Sequence, residues 1–152
     1  MSLRYDDGTP FAVGVQTYRT HSVIRGDEDE RAFVQIKIEG VEAEAFLDTG
    51  GAWLVCTPEI VAKLGLDPRG AVSSAALGIR GVRVAGWLHR LTLTLPADRG
   101  SEHSLEVVAF APDIDPEIWG EFPPVLGWTG CVEWFRFAVD PLSQSFYFGP
   151  AA

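Results

Sequence analysis

Apolar residues recur at every second position over several short stretches of this chain, the period of a half-buried β-strand. Val34, Ile36 and Ile38 share one side, Glu39-Gly40 breaks the run, and Val41, Ala43, Ala45 and Leu47 resume it, which predicts a β-hairpin. Leu91, Leu93 and Leu95 alternate with Thr92 and Thr94 and stop at Pro96. Beyond the polar turn Asp98-Arg99-Gly100-Ser101, Leu105, Val107 and Ala109 alternate again, so a second hairpin with one solvated face is expected. A third pair, Phe135 to Val139 and Ser145 to Phe148, brackets the turn from Asp140 to Gln144. One segment reads as helix, because Thr57 suits an N-cap, Pro58 the first helical position and Gly65 the stop after Leu64. Gly130 to Trp134 predicts a second single turn, and Asp113 to Pro124, with its three prolines, a long irregular loop. The expectation is an all-β fold with one or two short helices.

The length, 152 residues, suits one well-buried core, and residues 1–152 are read as one domain. With 47% apolar residues the composition is globular. A formal charge of −9 argues against a sequence-independent grip on nucleic acid, which needs Lys and Arg to displace counterions from phosphates, and equally against anionic membranes. No basic stretch leads into an apolar one near Met1 to Tyr18, and no apolar run is long enough to span a bilayer, so no membrane partner and a cytoplasmic location are expected. Cys56 and Cys131 are expected to be free, buried thiols. His21, His89 and His103 lack metal-site spacing, and neither a metal nor a cofactor is expected. Cys56 lies in the apolar run Leu54-Val55-Cys56, which suits an inert thiol rather than a nucleophile. Ser73-Ser74 has no Gly-x-Ser-x-Gly elbow around it, and Gly78-Ile79-Arg80-Gly81 leads into strand-like sequence rather than the helix a phosphate loop requires. Of the tryptophans, Trp87, Trp119 and Trp128 are read as core and rim packing.

The candidate chemistry sits in Phe46-Leu47-Asp48-Thr49-Gly50-Gly51-Ala52, where an apolar strand delivers a carboxylate into small residues. Gly50 and Gly51 permit positive φ or close approach by another chain. Asx-type turns use the same residues, so the tripeptide alone fits a structural turn as well.

With its flanks, Val34 to Leu66 resembles the first half of a retropepsin: a hairpin, apolar residues into Asp-Thr-Gly, a strand, and a short helix ending in Lys63-Leu64-Gly65-Leu66. Val125-Leu126-Gly127 resembles the family's hydrophobic-hydrophobic-Gly motif, and Trp134 to Phe148 its closing strand, turn and strand. Leu77-Gly78-Ile79-Arg80-Gly81 is placed like the flap tip, with Val82 to Leu95 returning, and the likeness runs in order over residues 32–149. It implies a retropepsin-like acid-protease closed barrel that acts as a homodimeric aspartic endopeptidase on polypeptides. Asp48 would be the catalytic acid and base, paired with its symmetry mate. Thr49 would tie the two loops together, and Gly50 would hold backbone near the carboxylates. Residues 77–81 would form the flap, with Leu77, Ile79 and Trp53 lining subsites. Asp98-Arg99-Gly100 has the first and third letters of the motif but no apolar strand leading in, and it is set aside.

The chain departs from the family at Gly51, where Ala or Ser is usual, and after Gly127, where Gly130 and Cys131 replace bulky apolar residues. These departures motivate a second reading, a non-catalytic peptide-binding or interaction module of the same fold. A third is an unrelated β-barrel in which Asp48 caps a turn.

Overall fold

Pairing between short segments far apart in sequence builds the molecule, described over residues 3–151 by a computed structural model. The strands and helices are β1 (Gly14–Thr17), β2 (Arg19–Ser22), β3 (Glu30–Ile38), β4 (Val41–Ala52), β5 (Leu54–Val55), α1 (Pro58–Leu64), β6 (Ser73–Ile79), β7 (Val82–Leu95), β8 (Arg99–Gly100), β9 (His103–Pro112), α2 (Pro116–Trp119), β10 (Val125–Thr129), β11 (Phe135–Asp140) and β12 (Ser145–Pro150). They form a four-stranded sheet, β11-β12-β1-β8, and an eight-stranded sheet, β2-β3-β4-β10-β5-β9-β7-β6. The second sheet bends back on itself, because β3 also pairs with β7 through Lys37 opposite Thr94 and Ile38 opposite Leu93. No helix among the described residues is long and apolar enough to cross a membrane.

The three expected hairpins form. Ile38 faces Val41 across Glu39-Gly40, whose φ values of 47° and 84° give a two-residue turn that matches strand twist. β7 and β9 pair in continuous register from Gly86 opposite Pro112 to Leu95 opposite His103, and β11 pairs with β12 from Phe135 to Asp140. The polar turn between β7 and β9 has a further use, because Arg99 and Gly100 pair with Val15 and Gly14. In α1 the Thr57 hydroxyl accepts the Ile60 N–H at 3.2 Å, and Gly65 closes the helix at φ 64°. Residues 132–134 make one 3₁₀ turn. The expectation of an irregular loop from Asp113 to Pro124 is corrected: Asp115 accepts the Glu117 N–H at 2.8 Å and starts α2. One turn of four residues leaves no apolar period to read.

Strands β3, β4 and β9 alternate over part of their length and also bury apolar residues on the second face, which supports two clusters. One face of β3 sends Val34, Ile36 and Ile38 into the larger core, with Leu93, Leu95, Phe146 and Phe148. Their neighbours go the other way: Phe33, Phe46, Val55, Phe110 and Val125 form a smaller cluster. Each such side chain taken out of water contributes about 1.5–3 kcal/mol before entropy is counted. The smaller cluster floors the candidate site.

Candidate functional site

Asp48 stands two residues beyond Phe46 on β4, so both side chains project to the same side, over the smaller cluster. β10 runs parallel to β4, with Gly127 opposite Asp48 and Thr129 opposite Ala52. Between those pairs β4 carries Thr49, Gly50 and Gly51 while β10 carries only Trp128, so the β4 segment bulges outward. Thr49 and Gly50 are exposed, and Asp48 is half-buried. The Gly50 N–H donates to Asp48 Oδ1 at 3.1 Å and fixes the carboxylate. Contrary to one option raised by the sequence, neither Gly50 nor Gly51 takes a positive φ. A β-carbon at Gly50 would meet only Asp48 Oδ1, at 3.4 Å, so nothing else in this chain demands glycine there.

Gly127 is different. A β-carbon on it would lie 2.5 Å from the Trp53 carbonyl oxygen and 2.6 Å from the Ala52 carbonyl carbon. Only glycine lets β10 pass this close to the end of β4. Trp53 completes the fastening: it adopts φ 62°, donates its N–H to the Thr129 carbonyl at 2.8 Å and accepts the Gly127 N–H at 2.9 Å. Its indole stacks on Phe110 with ring centroids 6.0 Å apart.

Opposite Asp48 stands the β6–β7 arm. Ile79 pairs with Val82 across Arg80-Gly81, whose φ values of 53° and 79° make a second two-residue turn. A cavity of about 160 Å³ lies between arm and loop. Asp48 and Gly51 line it from the loop, Leu77, Gly78, Ile79 and Arg80 from the arm, and Phe46, Phe122 and Val125 from the walls. Of the residues singled out in the sequence, Thr49, Gly50, Gly81 and Trp53 do not line this cavity. Val125 and Leu126 point to opposite sides, Val125 into the cavity wall and Leu126 into the larger core.

Phe122 is a wall residue that the sequence did not flag. Its carbonyl accepts the Trp119 indole N–H at 2.8 Å, and its ring packs edge-on against Trp119 at 5.7 Å and Phe46 at 5.8 Å. The three prolines of its loop were the available signal, since they stiffen a segment that has no period.

Asp48 is the only acid lining the cavity and Arg80 the only base. One carboxyl can take or give a single proton; hydrolysis that needs an acid and a base together requires a second group. Asp98 does not supply it, being engaged in accepting the Thr17 N–H at 2.7 Å. Cys56 and Cys131 are buried free thiols. Burial pushes both up to about 12, helped at Cys131 by Cys56, so neither is a nucleophile at neutral pH. Burial alone would raise the Glu44 carboxyl, but hydrogen bonds from Arg19 and His21 outweigh it and hold the group below its usual value. That carboxylate ties β2 to β4 through Arg19 at 2.6 Å and His21 at 2.8 Å. Among the described residues no group of three or more His, Cys, Asp or Glu gathers as a metal site. A larger cleft of about 320 Å³ between α1 and the proline loop is lined by Glu42, Glu59, Glu121 and Lys63 and does not reach Asp48.

No protein-family model and no curated protein matches the chain. Among solved structures it is similar to a retropepsin-like aspartic protease from Rickettsia conorii, with 17% identity and a TM-score of 0.52 over 79% of this chain and 91% of that one. It also aligns with EIAV protease complexed with the inhibitor HBY-793, with 18% identity and a TM-score of 0.44 over 68% of this chain and 88% of that one. The first of these carries the assignment of the architecture, which is retropepsin-like.

Proposed function

We propose that this chain, one domain with a retropepsin-like fold, is a homodimeric aspartic endopeptidase in which two copies of Asp48 flank one activated water. The observation that carries the reading is the position of Asp48: a carboxylate held by a backbone N–H, on an exposed glycine loop, facing the tip of a two-stranded arm across an apolar cavity. The return of β3 to β7 supports the closed barrel that this reading implies.

Two carboxyls at hydrogen-bonding distance cannot both ionise easily, so they share a proton, and that proton belongs to the pair. In the proposed reaction the ionised member takes a proton from water, whose oxygen forms a bond to the scissile carbonyl carbon. The protonated member first donates to the carbonyl oxygen. Collapse of the tetrahedral adduct then breaks the C–N bond as the carboxyl that took the water proton delivers it to the amide nitrogen, while the other carboxylate takes a proton back from an adduct hydroxyl. Thr49 and Gly50, exposed beside Asp48, are read as the contacts between the two loops. The arm from Leu77 to Gly81 is read as the flap that pairs with an extended peptide and excludes water. Leu77, Ile79, Phe46 and Phe122 supply apolar walls for a substrate side chain. Val125-Leu126-Gly127 and Trp53 hold the loop from behind.

Cleavage of a diverse peptide library by the full chain tests this reading. Asp48→Asn should lower kcat/KM by at least about 10³-fold while preserving fold and dimer mass, and a variant that still cuts at the native rate would remove Asp48 from the chemistry. A second reading, a peptide-binding module without catalysis, draws on the single carboxylate in the cavity. It expects a library that is bound and never cut, with binding unaffected by Asp48→Asn.

A further inference from the structure

We infer that the second copy of this chain docks on the turn bearing Trp128 and Trp134, and that these indoles, rather than a shared terminal strand, anchor the dimer. The inference rests on the reading of Asp48 as half of a pair and adds where the other half attaches.

A partner that brings its own Asp48 alongside must cover whatever stands exposed around the first. Trp128 is the β10 residue opposite the bulge of Thr49, Gly50 and Gly51, and it is 45% exposed. Gly50 has room for a β-carbon as far as its own chain is concerned, apart from Asp48 itself, so the loop is narrow where another backbone would approach. The segment after Trp128 is firmly built. The Trp128 carbonyl accepts the Cys131 N–H at 3.2 Å, and the Cys131 carbonyl accepts the Trp134 N–H at 3.0 Å. Cys131 and Val132, between the two tryptophans, are fully buried. Trp134 ends this turn and is also 45% exposed. Two half-exposed indoles at the two ends of a turn pinned by buried neighbours are pre-ordered apolar groups, the kind of side chain that anchors protein–protein contacts.

The last strand, β12, has no open edge for a shared sheet, and the edges of its sheet are β11 and β8. β12 is hydrogen-bonded on one edge to β1 and on the other to β11. A partner strand could add to β12 only by displacing one of them. Charge also favours an apolar anchor, because two chains of −9 each repel one another. An association held by tryptophans against that repulsion tightens as salt screens it, whereas one held by ion pairs weakens.

Sedimentation equilibrium of the full chain, with Trp128→Glu and Trp134→Glu beside it, tests the inference. The wild type should follow a monomer–dimer equilibrium that tightens with added salt. Each variant should associate roughly 30-fold more weakly or worse, with unchanged circular dichroism, since both positions are exposed. A measurement on the wild type alone guards against misfolded variants: acrylamide quenching of tryptophan emission should fall as protein concentration drives the mass from monomer to dimer. A dimer unchanged by both substitutions, or quenching that stays constant while the mass doubles, overturns the tryptophan anchor and leaves the paired Asp48 reading intact. A wild type that stays monomeric at every concentration and salt level overturns both.

Discussion

A carboxylate becomes useful or inert according to the backbone around it, and Asp48 differs from Asp98 in this way. Asp98 spends its oxygen on the Thr17 N–H and fastens the β7–β9 connection to β1, whereas Asp48 is steadied by the Gly50 N–H and still borders a cavity. The thiols belong to the same scale. Cys56 and Cys131 are raised from 9.0 to about 12 by burial, and the linkage sign follows. Below pH 9 both states keep their protons and the thiols leave stability unchanged. Above it the unfolded chain loses protons that the folded chain retains, so stability declines between pH 9 and about 12. Urea unfolding across that range should show a falling midpoint, and replacing both cysteines by alanine should flatten the slope. An equally steep fall in the double variant would assign the alkaline limb to other groups.

At the scale of elements, the β6–β7 arm is the part whose substitution should change binding without unfolding the chain. Beyond Ala85 it has no third strand, because β7 joins β9 only from Gly86. Gly81→Val puts a β-branched side chain at φ 79°, a cost of about 1–2 kcal/mol at the tip. If the arm clamps substrate, KM for a cleaved peptide should rise roughly 5- to 30-fold while the thermal midpoint falls by no more than about 2–8 °C. An unchanged KM would make the arm a bystander. This arm was legible through the resemblance of Leu77 to Gly81 to a flap tip with Val82 to Leu95 returning, and the Asp48 loop because an apolar strand leads into glycines. Gly127 was recognised by motif alone; its physical reason, a carbonyl oxygen 2.5 Å from where a β-carbon would be, exists only once β10 lies beside β4. Three things stayed hidden for reasons of range or length. β8 is two residues paired to a strand about 85 positions earlier in the chain. α2 is one turn, and Phe122 reaches the cavity only because that turn braces it.

For the molecule as a whole, the proposed function makes the protomer the holder of half a reaction centre. The central strands carry apolar residues on both faces, the larger core holding the sheets together and the smaller cluster supporting the cavity. On the proposed reading, completing the site falls to association between identical, like-charged chains, with a two-fold axis beside Asp48 as the symmetry that would place equal groups face to face. The most direct test mixes wild-type chains with Asp48→Asn chains at a fixed total concentration, allows subunits to exchange, and measures peptide cleavage. If each site needs an Asp48 from both partners, activity follows the square of the wild-type fraction, and an equal mixture retains about one quarter of the all-wild-type rate. A linear decline, with about one half retained, would mean that each chain cuts alone and would contradict the account.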